Sequence, residues 1–337
     1  MNAIAPVLIL GGYGSVGSRS ARMLRRLQPD LPIAIAGRNL AKAEAIAVEV
    51  GNATAVSVDI ERPDLGLGAD EHYSIVVTAL RDLSLNTMRF AQAREIPYIA
   101  LSDGVFELGP TIARFIHHPT RAPILLLGHG MGGVPALAAL HCAEDFTSID
   151  SIELGMVFDP ADPLGPASAV DMNRIGKIGP SPLSLDQTRW SWIGGEKARR
   201  GFSGTDGAPH VGEAVGLQDV LSLASAPARS IRIDFAEAVT ATSKRGEAPS
   251  HEVIIEIVGV RNDGASGRFR YELVDPEGYA AMSARGIAIM VERLLGLAGG
   301  SAPGPGLYLP EVIVQPSHLV ARLRLFGLDI VATGPGT

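Results

Sequence analysis

The stretch from Val7 to Arg38 decides the fold: residues 7–27 read VLILGGYGSVGSRSARMLRRL, and residues 33–38 read IAIAGR. The apolar run 7–10 predicts a buried strand. A G-x-G-x-x-G turn follows it, made of Gly12, Tyr13, Gly14, Ser15, Val16 and Gly17. The apolar or small residues that come next recur at helical spacing: Val16, Ser20, Met23, Leu24 and Leu27. The sequence therefore predicts a strand, a glycine turn and an amphipathic helix.

Each glycine of this turn has a physical role. Gly12 lets the chain turn sharply off the strand, Gly14 lets a pyrophosphate approach the backbone, and Gly17 lets the helix pack close to the sheet. Free N–H groups and the positive end of the helix dipole then face an anion. The pattern predicts a bound dinucleotide; the alternative is a tight turn that binds nothing.

Arg38 ends the second apolar run, about 20 residues after Gly17, where proteins that bind NAD carry an acidic residue for the ribose 2′-hydroxyl. A guanidinium suits a 2′-phosphate instead, so we expect NADP to be preferred over NAD. Asn39 is a plausible cap for the next helix. Asp59 ends the third strand, where it either lies near the adenine or is only a turn residue. The expected cofactor contacts are Gly12, Tyr13, Gly14, Ser15, Val16, Gly17, Arg38, Asn39, Asp59, Leu80 and Arg81.

The composition limits the class of protein. The chain has 337 residues, 46% of them hydrophobic, and a formal net charge of −7, which argues against a nucleic-acid partner. Cys142 is the only cysteine, so no intramolecular disulfide forms, as expected of a cytoplasmic protein. The amino terminus does not resemble a signal peptide, and no apolar run approaches the ~20 residues of a membrane span. We expect a homodimer that acts on a small molecule.

Alternating strand and helix patterns organise residues 1–147 and predict a doubly wound parallel sheet of the Rossmann type. Residues 148–306 predict a second, α+β domain with a largely antiparallel sheet, because Asn262-Asp263-Gly264 signals a hairpin. The tail, 307–337, is expected to pack back near the first domain. Three further predictions are helices over 83–94 and 276–297 and an extended segment over 307–314.

Three residues at predicted strand ends are catalytic candidates: Arg81, Asp103 and His129. Arg81 would clamp a carboxylate or contact a cofactor phosphate, unless it is simply solvated. Asp103 would relay a proton or merely end a turn. His129 lies in a second glycine turn, 128–133, and titrates in a useful range, although it could instead bond to backbone.

Other clusters carry weaker signals. Lys197, Arg199 and Arg200 would suit a carboxylate-bearing substrate, but such clusters are more often a solvated face. His117-His118 has no Cys or carboxylate at ligand spacing, so we expect no metal site. The P-loop, H-E-x-x-H and G-x-S-x-G patterns are absent.

Four stretches resemble the saccharopine dehydrogenase family, in its shorter, saccharopine-reductase-like form. They are VLILGGYGSVG with AGRN, TALRDLSLNTMRFAQAREIPYIALSD (78–103), GHGMGGVPAL (128–137) and GPGLYLPE (304–311). The resemblance implies an NAD(P)-dependent oxidoreductase that transfers hydride between NADPH and a C=N bond formed from an amine and a carbonyl compound. It also implies that the turn at 128–133 faces the nicotinamide.

The chain departs from the family at Ala100, where members often carry Asp two residues after the tyrosine of the fifth strand. This departure motivates an alternative: an NADP-binding protein without its own turnover, serving as a sensor or partner. A third reading, suggested by the apolar composition, is a reductase of a more hydrophobic unsaturated substrate.

Overall fold

The computed structural model describes residues 4–178, 181–297 and 299–334. Its first part alternates strands with helices, as the apolar runs predict: β1 (Val7–Leu10), α1 (Ser15–Leu27), β2 (Ile33–Gly37), α2 (Leu40–Val50), β3 (Ala53–Ser57), β4 (Ile75–Thr78), α3 (Asn86–Ala93), β5 (Tyr98–Ala100), α4 (Leu108–His117), β6 (Pro123–Leu126) and α5 (Val134–Ala143). The strands form a parallel sheet, here called sheet A, in the order β6-β5-β4-β1-β2-β3. The predicted doubly wound sheet is confirmed.

Sheet A reverses its strand order between β1 and β4. The chain leaves β1 toward β2 on one side, whereas β4 pairs with β1 on the other. Ligands of open α/β sheets bind outside the carboxyl ends of the strands at such a reversal. Here the glycine turn after β1 and the loop after β4 meet, since a Cβ on Gly11 would lie 3.3 Å from the Ala79 carbonyl oxygen.

The second part of the chain forms a mixed sheet, here called sheet B. Its elements are β7 (Phe146–Phe158), α6 (Pro166–Asn173), β8 (Leu183–Asp186), β9 (Arg189–Trp192), β10 (Arg199–Ser203), β11 (Pro209–Ala214), α7 (Asp219–Leu223), β12 (Ala228–Glu237), α8 (Ala241–Lys244), β13 (His251–Arg261) and β14 (Ser266–Asp275). The predicted hairpin joins β13 to β14, with Gly264 at φ 88° in the turn. Antiparallel pairing dominates as predicted, although β12 pairs with β7 in parallel.

The carboxyl-terminal part returns to both sheets. It comprises α9 (Tyr279–Leu294), β15 (Gly306–Tyr308), α10 (Pro310–Ile313), α11 (Pro316–Leu325) and β16 (Val331–Ala332). β15 extends sheet A beside β6, and β16 pairs with β14. α9 packs along α1. The domain boundaries at 147 and 306 stay a prediction.

Three predicted segments need correction. The helix expected from residue 83 begins at Asn86, because Leu85 is left-handed (φ 56°) and the Asp82 carboxylate accepts the Thr87 N–H at 2.7 Å. The helix expected over 276–297 spans 279–294, since Gly278 (φ 85°) precludes an earlier start. The extended prediction for 307–314 is wrong beyond Tyr308, because Pro310 opens a helical turn.

One apolar cluster joins the two sheets. It contains Ile9 and Ile35 of sheet A, Leu154 and Ile255 of sheet B, and nearly every apolar side chain of α9. A second cluster covers the other face of sheet A. Among the helices of the described residues, none combines the length and apolarity that crossing a membrane requires.

Candidate functional site

The glycine turn places free donors at the start of α1. A Cβ on Gly17 would lie 2.3 Å from the Gly11 carbonyl oxygen, and one on Gly12 would lie 2.8 Å from that of Ile9, so neither position accepts a side chain. The backbone N–H groups of Ser15, Val16 and Gly17 have no hydrogen-bond partner among the described residues. These N–H groups and the positive end of the α1 dipole form a site for an anion.

Arg38 lies at the carboxyl end of β2 with its side chain exposed. In the described part of the chain it has no hydrogen bond and no ion pair. Asn39 caps α2, because its side chain accepts the Lys42 N–H at 3.0 Å. The Tyr13 ring lies over Gly37, where a Cβ would be 2.2 Å from Cε1. Tyr13, Arg38 and Asn39 thus meet beside the glycine turn.

The two weaker cofactor candidates follow β3 and β4, at the carboxyl edge of sheet A. Asp59 is exposed, and its carboxylate accepts the Glu61 N–H at 3.1 Å, as a turn residue does. The preceding residue, Val58, donates its N–H to the Gly37 carbonyl, so this turn lies beside Arg38. Leu80 touches the turn after β1, since its Cδ2 would be 3.4 Å from a Cβ on Gly11.

Arg81 belongs to an ion-pair cluster at the crevice. One oxygen of the Glu107 carboxylate accepts from Arg81 at 2.5 Å, and the other accepts from Arg174, which follows α6. Arg174 also donates to the Ser102 carbonyl at 2.5 Å and to Asp171 at 2.9 Å. The segment after α6 is therefore fastened to the loop after β5.

Asp103 lies within this cluster. Burial, reinforced by the charge of Glu107, raises the pKa of its carboxyl to about 6, while Arg174 and Arg81 act in the opposite direction. A carboxyl with such a pKa holds or releases a proton near neutral pH. Asp103 and Arg81 are thus brought together, in a setting that suits acid–base chemistry.

His129 is placed differently. Its side chain is 7% exposed, and Nε2 lies 2.7 Å from the Ser222 hydroxyl. Burial lowers the pKa of the imidazole to about 3, so the ring is neutral at physiological pH. The next N–H, of Gly130, donates to the Asp219 carboxylate at 2.6 Å. The proton-transfer role of His129 stays a prediction, and its side chain bonds to α7 rather than to Arg81 or Glu107.

The remaining sequence candidates lie elsewhere. Arg200 ion-pairs with Asp234 at 2.6 Å and with Glu153 and Glu256 at 3.0 Å each, a network on sheet B that leaves it neither solvated nor free for a substrate. Lys197 and Arg199 are exposed. In the described residues, no group of three or more His, Cys, Asp or Glu side chains is arranged to hold a metal ion.

Sequence reasoning missed several residues that the fold brings to this region: Glu107, Arg174, Ser222, Asp219 and Tyr279. Arg174 reaches Glu107 across 67 positions of sequence, and no local pattern signals such a pair. Tyr279 does lie in a recognisable sequence pattern, but that pattern identifies it only as one more apolar position of a long helix.

Known proteins resemble this chain in structure rather than in sequence. No protein-family model matches the chain, and no curated protein matches it in sequence. Among solved structures, it is similar to apo saccharopine dehydrogenase (L-Glu forming) from Saccharomyces cerevisiae, with a TM-score of 0.63 and 13% identity over 98% of this chain and 100% of that one.

Two other solved structures are similar. Amine dehydrogenase from Mycobacterium smegmatis has a TM-score of 0.53 and 13% identity over 94% of this chain and 95% of that one. Myo-inositol 2-dehydrogenase from Lactobacillus plantarum has a TM-score of 0.50 and 11% identity over 98% of this chain and 100% of that one. The resemblance found in the sequence is thereby confirmed for the architecture: the chain has a saccharopine dehydrogenase-like fold.

Proposed function

We propose that this protein is an NADP-dependent oxidoreductase that acts on a small polar substrate through a carbon–nitrogen double bond. The observation that carries the proposal concerns the start of α1, where N–H groups have no partner among the described residues and the guanidinium of Arg38, unpaired among those same residues, lies beside them. The first fits a diphosphate and the second fits a 2′-phosphate. Dehydrogenases of similar fold support the reaction class.

The chain's own residues would bind and protonate the substrate. Bound NADPH supplies the hydride that reduces the C=N carbon. The Asp103 carboxyl, half-buried beside Arg81 and Glu107, would give its proton to the nitrogen and be left as a carboxylate. Arg81 lies at the carboxyl end of β4, where a substrate in the crevice would meet its charge.

A titration of the wild-type protein tests the proposal. We expect NADPH fluorescence to change saturably on binding, with a weaker response for NADH. Oxidation of bound NADPH is then followed against amines paired with carbonyl compounds, drawn from amino acids, polyamines and keto acids. Absence of saturable binding of either dinucleotide contradicts the proposal.

The pH dependence of turnover tests Asp103. Because its pKa is raised to about 6, the acid form decreases above that pH, and the rate of C=N reduction should fall about tenfold per pH unit. Asp103→Asn should lower kcat by about 10²–10⁴ and abolish this dependence. The exposed Asp70 provides the control, since Asp70→Asn should keep the wild-type profile. An unchanged profile in Asp103→Asn would exclude this carboxyl as the acid.

A second candidate, an NADP-binding protein without turnover, has its own supporting observation. The Glu107 carboxylate already engages both Arg81 and Arg174. Such a protein would bind NADPH saturably and oxidise it with no member of the substrate panel.

A further inference from the structure

Tyr279 is held rigidly at the start of α9. Its backbone N–H donates to the Asp162 carboxylate at 2.8 Å, and its ring packs against Phe158 with 5.4 Å between ring centroids. The residue is 8% exposed. A substitution that keeps the ring would therefore keep the anchoring of this helix end.

The hydroxyl of Tyr279 is buried and has no partner with hydrogen-bond geometry among the described residues. Three polar groups lie near it: the hydroxyls of Ser168 and Ser15 and the backbone of Gly165. Burial raises the pKa of the phenol, so it keeps its proton and is available as a donor. A buried hydroxyl without a partner is unfavourable, and its retention calls for a ligand or another explanation.

Its position coincides with the anion site of α1. Ser15 is the first residue of α1, and its N–H has no partner in the part of the chain that the structure describes. Gly165 lies directly against it, because a Cβ on Gly165 would be 2.9 Å from the Ser15 Cβ. The Tyr279 hydroxyl therefore comes from the carboxyl-terminal part of the chain to the same place where the glycine turn presents its donors.

We propose that Tyr279 is a further ligand of the diphosphate, donating a hydrogen bond from its hydroxyl to a phosphate oxygen held at the start of α1. The assignment rests on the proposed function, because it concerns the same cofactor site. It adds a donor that lies more than 250 residues from the glycine turn and outside any sequence motif. Tyr279 would be a binding residue that also positions the cofactor.

Tyr279→Phe tests the assignment. Since the hydroxyl has no partner with hydrogen-bond geometry among the described residues, the variant should fold and melt no lower than the wild type. We expect its Kd for NADPH to rise about ten- to a hundredfold, as for loss of a hydrogen bond to a charged group. Binding of adenosine 2′-monophosphate, which has no diphosphate, should be unchanged. Tyr271→Phe is the control, since that hydroxyl accepts from Arg261 on sheet B.

A second probe separates this inference from the proposed function. Inorganic pyrophosphate should raise the melting temperature of the wild type more than that of Tyr279→Phe, whether or not the protein prefers NADP. Equal stabilisation of both proteins, or equal Kd values for NADPH, would overturn the role of Tyr279. Parallel losses for NADPH and adenosine 2′-monophosphate would also overturn it, because they indicate general damage. A wild type that responds to pyrophosphate but binds no dinucleotide would refute the proposed function alone.

Discussion

Arg38→Ala is expected to weaken NADPH binding about ten- to a hundredfold and to leave the affinity for NADH nearly unchanged. The guanidinium is exposed at the end of β2 and has no protein partner in the described residues. Its removal should therefore change the free energy of unfolding little. A hydrogen bond to a charged group contributes about 1.5–3 kcal/mol, and only NADPH carries the 2′-phosphate that would accept it.

Fluorescence titration of both dinucleotides against both proteins measures this effect. Lys42→Ala is the matched control, because Lys42 is an exposed cation in the first turn of the adjacent α2. If general attraction of a basic surface governs affinity, the two variants weaken NADPH binding alike. Equal losses for NADPH and NADH in Arg38→Ala would contradict the predicted preference for NADP.

Asp219→Asn is expected to stabilise the protein at alkaline pH by about 2–4 kcal/mol. Asp219 is fully buried, and one carboxylate oxygen accepts the Gly130 N–H while the other has no partner in the described part of the chain. Burial raises the pKa of this carboxyl to about 7 from an ordinary value of 3.8. An asparagine keeps an acceptor for Gly130 and cannot ionise.

The sign of the pH dependence follows from proton binding. Between pH 4 and pH 7 the folded state holds a proton on Asp219 that the unfolded state has lost, so the free energy of unfolding decreases as pH rises. Above pH 7 this contribution is constant. The buried imidazoles of His129 and His251 add a slope of opposite sign below pH 6.5. The wild type and Asp219→Asn share that slope. The difference between their free energies of unfolding therefore reports on Asp219.

Urea unfolding of both proteins from pH 4 to pH 8 gives the measurement. The free energy of unfolding of Asp219→Asn should exceed that of the wild type only slightly at pH 4 and most at pH 8. Asp234→Asn is the contrasting control: Asp234 is as buried, but it pairs with Arg200 and Arg232, so its replacement should destabilise. A pH-independent difference for Asp219→Asn would show that its carboxyl does not titrate in this range.

The sequence predicts the parallel sheet well because its signals are local. The runs of β1 and β2 are apolar throughout, as expected for strands covered on both faces, and Gly12 and Gly17 of the turn leave no room for a side chain. The signals for sheet B are weaker. The hairpin of β10 and β11 has no clear sequence pattern, because its strands are short and rich in polar residues, and only Phe202 and Gly212 are buried.

In the candidate site, too, the sequence predicts the residues with local signals and misses those placed by tertiary contacts. Arg38 follows from spacing along one βαβ unit. The neighbours that change the chemistry of Arg81 and Asp103 do not follow from spacing, because Glu107 and Arg174 are brought together by the path of the chain after α6, where Arg174–Ile178 forms a π-helical turn. Nor does spacing show that His129 is buried against Ser222 or that the Tyr279 hydroxyl lacks a partner among the described residues. Such properties depend on tertiary packing, which periodicity does not encode.

The apolar cluster that joins the two sheets opposes any opening between them. Swinging sheet B away from sheet A would expose the buried side chains of α9, at a free-energy cost that rises with the apolar area uncovered. If a dinucleotide binds at the start of α1 as proposed, the short segment that rests Gly165 on Ser15 would have to move locally to admit it. We then expect association to be slower than diffusional encounter.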